Sequence, residues 1–568
     1  MSESPHAQAF DAGAFDAEAF DADIIVVGAG PIGLTAGCAL RHHGVDCLIL
    51  EARDGVRAYS RANNLWARPQ ELLAGIGLRD ALAARAYPIR LVNFFLNGTP
   101  TTPIPIDAVA SPYPHVLYSG QDVIESTLID TFATRGGRLE RGCTVLDVAQ
   151  DDDGATVTLR RGDEGPEERL RCRYLVAADG AQSTIRPLLG LDFEPERFEG
   201  RMNRQVDAKL SWRRSLEPDQ LWFFYYERGF CGVMPVWGGY HRLFFLADDA
   251  GVPDRDPTLD EMQAVARAVT GDATLTLSDP QWLTHSRFQY GVSPAYARGR
   301  IFLAGDAGHL SLPIGGQGMN AGLHDAVEIA WRLAMALRGE AGPAVLDSYD
   351  AERGGEHIRL SAQQAKGFRR TVYRGPVTDA ALGLAAKVVP GIGALLQGTD
   401  DLQQLAVAYP ESPLNEDHLS GPAHLLQRGP KPGARAPDAE VTRDGVTTTL
   451  FPFLTNPDGR TTGWALLGFD GRSAEAGLSL RAAVAAVAPW GWVRPRLVLA
   501  GPAVAAGDVP LLSDLDGKAH GAYGLEGQPA LVLVRPDGHI AFRDAADRAD
   551  RLAAYCRRVF GEAGRPQA

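Results

Sequence analysis

The chain has 568 residues, 45% of them hydrophobic and 22% charged, a composition typical of a globular protein with more than one core. Its formal net charge of −14 argues against a nucleic-acid partner, because phosphate binding needs clustered lysine and arginine. No apolar run approaches the ~20 residues of a membrane span. Six scattered cysteines without a C-x-x-C pair fit a reducing cytoplasm and predict no metal site.

The first chemical motif follows an apolar strand at Ile24–Val27. Gly28, Gly30 and Gly33 form a G-x-G-x-x-G pattern, and a helix is predicted from Pro31 to His43. Such glycines allow a tight turn and bring a pyrophosphate close to the backbone at a helix N-terminus. A second strand ends in Glu51, at the distance where the pattern places an acid for ribose hydroxyls. This half-site predicts a dinucleotide but does not distinguish NAD from FAD.

Two further motifs follow predicted strands. Tyr174–Ala178 leads into an Asp-Gly motif that contains Asp179 and Arg186 and opens a helix. Arg300–Ala304 leads into Gly305-Asp306 and then a glycine-rich loop before a long amphipathic helix that begins near Gly318. A carboxylate at a strand end can hold a ribityl or ribose hydroxyl, and the glycines let main-chain N–H groups approach a flat ring. The helix N-terminus would favour negative charge on a reduced ring, so these motifs favour flavin.

In their order and spacing, the three motifs resemble those of the class A flavoprotein monooxygenases, the aromatic hydroxylases related to p-hydroxybenzoate hydroxylase and phenol hydroxylase. The resemblance covers residues 22–370. It implies an α/β fold in which a Rossmann-type FAD-binding domain carries an inserted β-sheet substrate domain. It also implies FAD as cofactor, NADPH or NADH as transient reductant, and molecular oxygen and a small aromatic molecule as partners. A phenolic or other electron-rich ring would be hydroxylated through a flavin C4a-hydroperoxide.

The same resemblance assigns cofactor contacts to residues of this chain. Asp179 and Arg186 would serve both FAD and the nicotinamide, and His309 would support the flavin loop. Ala52 stands where the family often has a basic residue, and Arg53 follows it. The complete cofactor set comprises the first glycines, the ribose acid and its neighbours, one helix glutamine and the two later motifs: Gly28, Gly30, Gly33, Glu51, Ala52, Arg53, Arg61, Gln121, Asp179, Arg186, Asp306, Pro313, Gly315, Gly316, Gly318, Met319 and Asn320.

A β-rich region between the second and third motifs would cover the substrate. Strands are predicted at Gln205–Trp212, Leu221–Tyr226, Cys231–Val236 and His241–Leu246, and the second holds five consecutive aromatic residues. Because strand side chains alternate, only one set can face the ring. Parity alone leaves both sets open, and we predict substrate contacts from the first: Trp222, Phe224 and Tyr226, with Phe223 and Tyr225 as the alternative.

Catalytic groups are expected just before the third motif. A phenol has a pKa near ~10, so its activation at neutral pH needs a base or a hydrogen-bond acceptor. His285, Arg287 and Tyr290 are candidates for this task, although each could equally be a surface or packing residue. We predict Arg287, Tyr290 and the loop residue Pro313 as the catalytic set.

The C-terminal region resembles the thioredoxin-like domain appended to phenol hydroxylase. Its predicted order is a strand at Trp464–Leu467, a helix at Leu478–Val487, a strand at Arg496–Ala500, a hairpin around Pro536-Asp537-Gly538 and a final helix. It lacks a C-x-x-C pair, so we expect packing or homo-oligomer formation instead of redox chemistry.

These assignments divide the chain into five parts. They are a flexible tail at 1–22; an FAD-binding domain at 23–85, 116–195 and 290–370; a substrate domain at 86–115 and 196–289; a helical linker at 371–430; and the thioredoxin-like domain at 431–568. Two alternative functions stay open, a Baeyer–Villiger or epoxidising monooxygenase acting on a polyketide-like substrate and a non-catalytic flavin-binding or sequestration protein. The intact Asp-Gly motif argues against the latter.

Overall fold

The computed structural model describes residues 20–56, 62–106, 109–214, 216–226, 229–248, 252–312, 314–372, 399–419, 429–456, 459, 462–473, 475–501 and 509–562. Within these ranges, every helix is too short or too polar to cross a membrane. The α-helices are α1 (Pro31–His42), α2 (Ala67–Gly75), α3 (Arg79–Ala83), α4 (Gln121–Thr134), α5 (Ile185–Leu188), α6 (Leu259–Thr270), α7 (Gln317–Leu337), α8 (Pro343–Tyr349), α9 (Gly355–Val372), α10 (Thr399–Leu402), α11 (Phe451–Leu454), α12 (Ala476–Val487), α13 (Lys518–Tyr523) and α14 (Ala549–Phe560).

Strands occupy much of the remaining described chain. In chain order they are β1 (Ala22–Val27), β2 (Cys47–Glu51), β3 (Asn64–Leu65), β4 (Tyr87–Ile89), β5 (Leu91–Leu96), β6 (Thr99–Pro100), β7 (Ile104–Pro105), β8 (Val116–Tyr118), β9 (Arg138–Arg141), β10 (Cys143–Gln150), β11 (Ala155–Arg161), β12 (Glu167–Ala177), β13 (Glu196–Ser211), β14 (Gln220–Tyr226), β15 (Gly229–Val236), β16 (Tyr240–Asp248), β17 (Thr276–Val292), β18 (Ala297–Arg298), β19 (Ile301–Leu303), β20 (His309–Leu310), β21 (Glu416–Asp417), β22 (Glu440–Arg443), β23 (Val446–Thr449), β24 (Trp464–Phe469), β25 (Val493–Leu499), β26 (Leu511–Ser513), β27 (Ala530–Val534) and β28 (Ile540–Ala545).

The first sheet has a parallel centre. β12 pairs in parallel with β1 and β19, and β1 and β2 continue the parallel run to β9. β1 is apolar on both faces, as expected for a parallel strand covered on each side. One face packs against α1, α4 and α7, and the antiparallel strands β10 and β11 extend the sheet beyond β12. The three chemical motifs therefore meet at the carboxyl ends of β1, β12 and β19.

The second sheet is mostly antiparallel and stands opposite these motifs. Its strand order is β20-β17-β13-β16-β15-β14-β5-β6, with β7 paired to β5. α6 covers one face and is bounded by a capping box between Thr258 and Glu261 and by the left-handed Gly271. The other face lies toward the first sheet, because Leu246 and Phe288 on it pack against Leu312 of the third motif.

The third sheet forms the C-terminal part, in the order β21-β28-β27-β24-β25-β26-β22-β23. It shares a core with α7, where the Trp331 and Trp464 rings meet edge to face with centroids 6.1 Å apart. Fully buried ion pairs also join the two parts: Arg535 Nη1 lies 2.6 Å from Glu352 Oε1, and Glu352 also pairs with Arg332. α7 is thus buried between two cores, which accounts for its apolar residues on both sides.

The predicted strands and helices are confirmed with end shifts of a few residues, apart from two strands that the structure lengthens: the strand before the Asp-Gly motif to Glu167–Ala177 and the first substrate strand to Glu196–Ser211. Two regions differ from the prediction. The Asp-Gly motif opens only the four-residue α5, which ends at Leu188, two residues before the left-handed Gly190. β21 lies in the segment predicted as a helical linker but pairs with β28, while residues 373–398 and 420–428 lie outside the described residues. The tail predicted at 1–22 overlaps β1, and residues 1–19 of it also lie outside the described chain.

Candidate active site

The first glycine turn is closed on one side and open on the other. Gly28 has φ +103°, and a Cβ there would lie 2.3 Å from the Ala178 carbonyl oxygen. A Cβ at Gly33 would lie 1.9 Å from the Gly28 oxygen, so both positions require glycine for packing. A Cβ at Gly30 would meet nothing within 4 Å. Gly30 caps α1 without a side-chain hydrogen bond, which leaves the N–H groups of the first turn for an anion.

Glu51 is buried and ties the turn to its own strand end. Its Oε2 accepts the Ala29 N–H at 2.7 Å, and its Oε1 accepts the Arg53 backbone N–H at 3.0 Å and the Arg53 Nε at 2.8 Å. Burial would raise the pKa of Glu51, but these bonds from Arg53 and Ala29 lower the pKa below its ordinary value. The longest of these contacts is that of Arg53 Nη2, at 3.3 Å from Oε2. Ala52 is exposed beside the pair.

Arg186 joins the second motif to the third. Its Nη1 donates to the Ala307 carbonyl at 3.0 Å, its Nη2 to the Ala181 carbonyl at 3.3 Å, and its Nε to Asp192 at 3.1 Å. The guanidinium therefore fixes the position of the loop that carries Asp306. Asp306 itself is exposed between two buried neighbours, at the edge where the first glycine turn opens.

Asp179 is the other charged residue of the second motif. Its Oδ2 accepts the Thr184 and Ile185 N–H groups, at 2.8 and 3.2 Å, and so holds the start of α5. Its Oδ1 is shielded from solvent and has no partner among the described residues. Burial raises the pKa of Asp179, despite hydrogen bonds from Ser183, Ile185 and Thr184. An orphaned acceptor of this kind fits a ligand hydroxyl or a bound water.

The glycine-rich loop ends at the N-terminus of α7. Gly315 and Gly316 have φ +71° and +61°, and no side chain caps the helix. The buried Asn320 holds the loop, because its Oδ1 accepts the Trp66 N–H at 2.9 Å and its Nδ2 donates to the Gly316 carbonyl at 2.7 Å. Gly318 and the half-buried Met319 begin the helix. The loop can therefore present backbone N–H groups to a flat ring, while Pro313 lies outside the described residues.

Gln121 lies at the start of α4, beside this loop system. Its Oε1 accepts the Ala62 N–H at 3.1 Å, and its Nε2 donates to Glu125 at 2.7 Å. Arg61, which belongs to the predicted cofactor set and directly precedes Ala62, lies outside the described residues.

A buried polar cluster behind the third motif was missed by the sequence analysis. Asp325 Oδ2 accepts the Gly305 N–H at 2.9 Å, while its Oδ1 lies 2.6 Å from Arg353 Nε and 2.9 Å from His357 Nε2. His309 stacks on His357 with ring centroids 3.6 Å apart, and burial lowers the pKa of both rings, which keeps them neutral. Arg353 supplies the positive charge that balances the buried Asp325 carboxylate. A carboxylate in the middle of an apolar helix was the available sequence signal.

On β14, the alternating residues predicted to contact the substrate lie on the wrong face of the sheet. Trp222 and Phe224 are 3% and 2% exposed and pack with Met262 of α6, on the face turned away from the glycine loop. Tyr226 shares that parity and also packs against this core. Phe223 instead packs in a cluster with Trp66, whose Nε1 donates to the Gly315 carbonyl at 2.8 Å. The alternative set, Phe223 and Tyr225, therefore faces the loop, because α6 covers the other side.

The predicted catalytic residues on β17 also separate by parity. His285 lies 2.8 Å from Asp256, and Arg287 lies 3.3 Å from Asp254, so both point to the segment before α6 and not to the loop. The prediction of Arg287 as a catalytic residue is therefore corrected, and the candidate His285 lies on the same face, away from the loop. Tyr290 lies on the other side, in the cluster that contains Leu312, and its hydroxyl donates to the Glu196 carboxylate.

Models of known protein families match both the N-terminal and the C-terminal part of this chain. Residues 21–360 match the model of the FAD binding domain, and residues 429–563 match that of the aromatic-ring hydroxylase C-terminal domain. A rifampicin monooxygenase of Streptomyces venezuelae is 36% identical over 58% of this chain and 68% of its own length. The 6-methylpretetramide 4-monooxygenase of Streptomyces rimosus is 30% identical over 94% of this chain and 92% of its own.

Solved structures agree with these matches. The ternary complex of aklavinone-11 hydroxylase with FAD and aklavinone has a TM-score of 0.72 and 25% identity, over 96% of this chain and all of that one. The mixed α/β fold is therefore that of an FAD-dependent aromatic hydroxylase.

Proposed function

This chain belongs to the FAD-binding-domain family of aromatic monooxygenases, and we propose that it hydroxylates a phenolic or similarly electron-rich aromatic compound with NADPH or NADH as reductant. The observation that carries this proposal is an open edge of backbone N–H groups facing a sheet surface of aromatic and polar side chains. Bound there, FAD supplies electron transfer and oxygen activation. The residues of the chain hold the cofactor, exclude water and orient the ring that reacts.

We assign the cofactor contacts mainly to backbone. The open side of Gly30 and the first turn of α1 receive the pyrophosphate, and the exposed Asp306 accepts hydroxyls of the ribityl chain. The uncapped start of α7 offers N–H groups to the pyrimidine edge of the ring, where its dipole stabilises negative charge. The turns that make these contacts are held in place by hydrogen bonds from the side chains of Arg186, Asn320 and Asp325.

Tyr290 is our proposal for the group that holds or moves a proton near the substrate hydroxyl. It borders the cluster around Leu312, next to the glycine loop, and its hydroxyl is bonded to the Glu196 carboxylate. A tyrosine paired with a carboxylate can accept a hydrogen bond from a phenol and pass its proton outward. Pro313 of the same loop stays a prediction.

We further propose the finer architecture and the cellular setting. Parallel strands with glycine and acid motifs at their carboxyl ends support a Rossmann-type cofactor domain. The order β24, α12, β25, β27, β28 and α14 supports a thioredoxin-like C-terminal unit. All six cysteines are free and buried, which supports a cytoplasmic location and a packing role for that unit. The homo-oligomer stays a prediction.

The proposed function is tested by anaerobic mixing of FAD-loaded protein with NADPH or NADH, with and without hydroxylated aromatics, followed by aeration and product analysis. We expect flavin bleaching, a faster reduction when the aromatic is bound, and a ring-hydroxylated product. Product NMR separates ring hydroxylation from lactone or epoxide formation. Bound FAD that neither nicotinamide reduces, with any aromatic present, would contradict the proposal.

A further inference from the structure

The sheet face that looks toward the glycine loop is divided into an aromatic half and a polar half. Cross-strand partners define rows that run from β14 through β15, β16 and β13 to β17. The first row is Tyr225, Phe230, Leu246, Asn203 and Ser286, and the second is Phe223, Gly232, Phe244, Gln205 and Thr284. The aromatic residues thus cluster on β14, β15 and β16, and the polar ones on β13 and β17.

The polar half is buried along β13, whereas Thr284 on β17 is half-buried and Ser286 is exposed. Asn203, Gln205 and Asp207 alternate along β13 and are 4%, 7% and 4% exposed. A strand face that points into a core normally carries apolar residues, because burying an amide without partners costs roughly 1–3 kcal/mol. Three successive inward positions therefore depart from the apolar pattern of the neighbouring strands.

Hydrogen-bond partners among the described residues satisfy only some of the polar atoms of these three β13 side chains. Asp207 is satisfied by Arg242, whose Nη2 and Nε lie 2.7 and 2.8 Å from its two carboxylate oxygens. Asn203 Nδ2 donates to Ser286 Oγ at 3.2 Å, but the buried Asn203 Oδ1 has no partner within the described part of the chain. The orphaned amide oxygen and the neighbouring Gln205 amide point to a polar ligand.

The aromatic half favours a flat ligand. Gly232 lies between Phe223 and Phe244 in its row, and neighbouring side chains cover it, because a Cβ there would lie 2.8 Å from Met234 Cε and 3.0 Å from the Phe223 ring. Glycine inside a strand removes a side chain where another group approaches closely. Phe230 stacks on Phe223 with ring centroids 5.3 Å apart and packs edge to face on Phe244 at 5.8 Å, so three adjacent rings form one aromatic surface.

We propose that Asn203 and Gln205 are specificity-determining residues that bind the oxygenated edge of a planar, fused-ring aromatic substrate. The face of that substrate lies against Phe223, Phe230 and Phe244, and neighbouring hydroxyl groups along one edge donate to the oxygens of the two amides. The Asp207–Arg242 ion pair follows Gln205 on the same face of β13 and ends this series of polar positions. This inference rests on the proposed function, since it assigns the substrate to the space between this sheet face and the carboxyl ends of β1, β12 and β19, which we call the cofactor edge.

The test uses alizarin, a fused-ring aromatic with adjacent hydroxyls beside a carbonyl, and its dimethyl ether, which keeps the shape without the donors. Calorimetric titration of FAD-loaded protein measures Kd for both. We expect Asn203→Leu and Gln205→Leu each to weaken alizarin binding by about tenfold, the usual effect of losing one buried hydrogen bond. Binding of the ether should hardly change. Lys209→Met, on the same strand but in an exposed ion pair with Asp279, is the matched control.

The outcomes separate this inference from the proposed function. Equal losses for alizarin and its ether, or no loss for either, would overturn the role of the two amides. Failure of the unaltered protein to bind alizarin would overturn the substrate class. FAD content and flavin reduction by NADPH are measured on the same samples, so a protein that takes up no FAD or is never reduced contradicts the proposed function instead.

Discussion

The cofactor edge and the sheet face opposite it bind by different means. At the edge, the contacts are offered by backbone at Gly30 and at the start of α7, and side chains such as Asp325 act by holding that backbone in place. On the sheet, side chains of alternate residues make the surface, and the backbone only sets their order. The edge should therefore tolerate few substitutions, while the face can change its ligand without changing the fold.

Loss of the Asp325 carboxylate should produce the largest effect at the edge. Asp325→Ala leaves the buried Arg353 guanidinium without its carboxylate and the Gly305 N–H without its acceptor. We expect the free energy of unfolding to fall by about 4 kcal/mol, as for other broken buried ion pairs, with loss of FAD retention. Denaturant unfolding and flavin content measure both. Asp347→Ala, an exposed position on α8, should change neither; a stable Asp325→Ala protein that retains FAD would remove the cluster from the account.

Substitutions on the two faces of β14 should produce the next largest effect. Phe224 is 2% exposed and stacks on Phe95, so Phe224→Ala should cost about 3 kcal/mol of stability. Phe223→Ala should cost less stability but raise KM for a fused-ring substrate. The split between unfolding free energy and KM is the readout. The reverse pattern would return the substrate to the face that α6 covers.

Sequence reasoning succeeded where backbone geometry dictates residue type. Gly28 and Gly33 are required by contacts under 2.5 Å, so their positions mark the turn in any sequence that builds it. The parity of β14 could not be read in the same way, because both alternating sets are aromatic and only the placement of α6 decides between them. For Arg287 and the candidate His285 on β17, the sequence did not show that these positions turn toward Asp254 and Asp256. Asp325 was missed because its partners lie 20 to 32 residues away in the chain.

A glycine pair tests whether the edge binds through open backbone. Gly28→Ala forces a side chain onto the Ala178 oxygen at positive φ and should cost about 2 kcal/mol of stability. Gly30→Ala meets nothing within 4 Å, so it should leave the unfolding of the FAD-free protein nearly unchanged while weakening FAD binding. Thermal unfolding without FAD and fluorescence titration with FAD separate the two. Unchanged FAD affinity in Gly30→Ala would place the pyrophosphate elsewhere.

The smallest expected effect is a pH dependence at Glu51. Its pKa is lowered in the folded protein by Arg53 and Ala29, so its contribution is present above the ordinary glutamate pKa and is lost as the pH falls through the lowered value. Arg53→Met removes the side-chain donors and leaves burial, which raises the pKa. We therefore expect the acid limit of stability to move to higher pH by a fraction of a unit. An unchanged acid limit, measured by thermal unfolding across pH, would contradict this role of the pair.

The most direct test of the contrast between edge and face is a crystal structure of the FAD-loaded protein with alizarin. We predict the pyrophosphate at the Gly28–Gly33 turn, the flavin ring at residues 315–318, and alizarin between that ring and Phe223, with its oxygens at Asn203 and Gln205. A flavin held mainly by side chains, or alizarin bound on the α6 side of the sheet, would contradict the account.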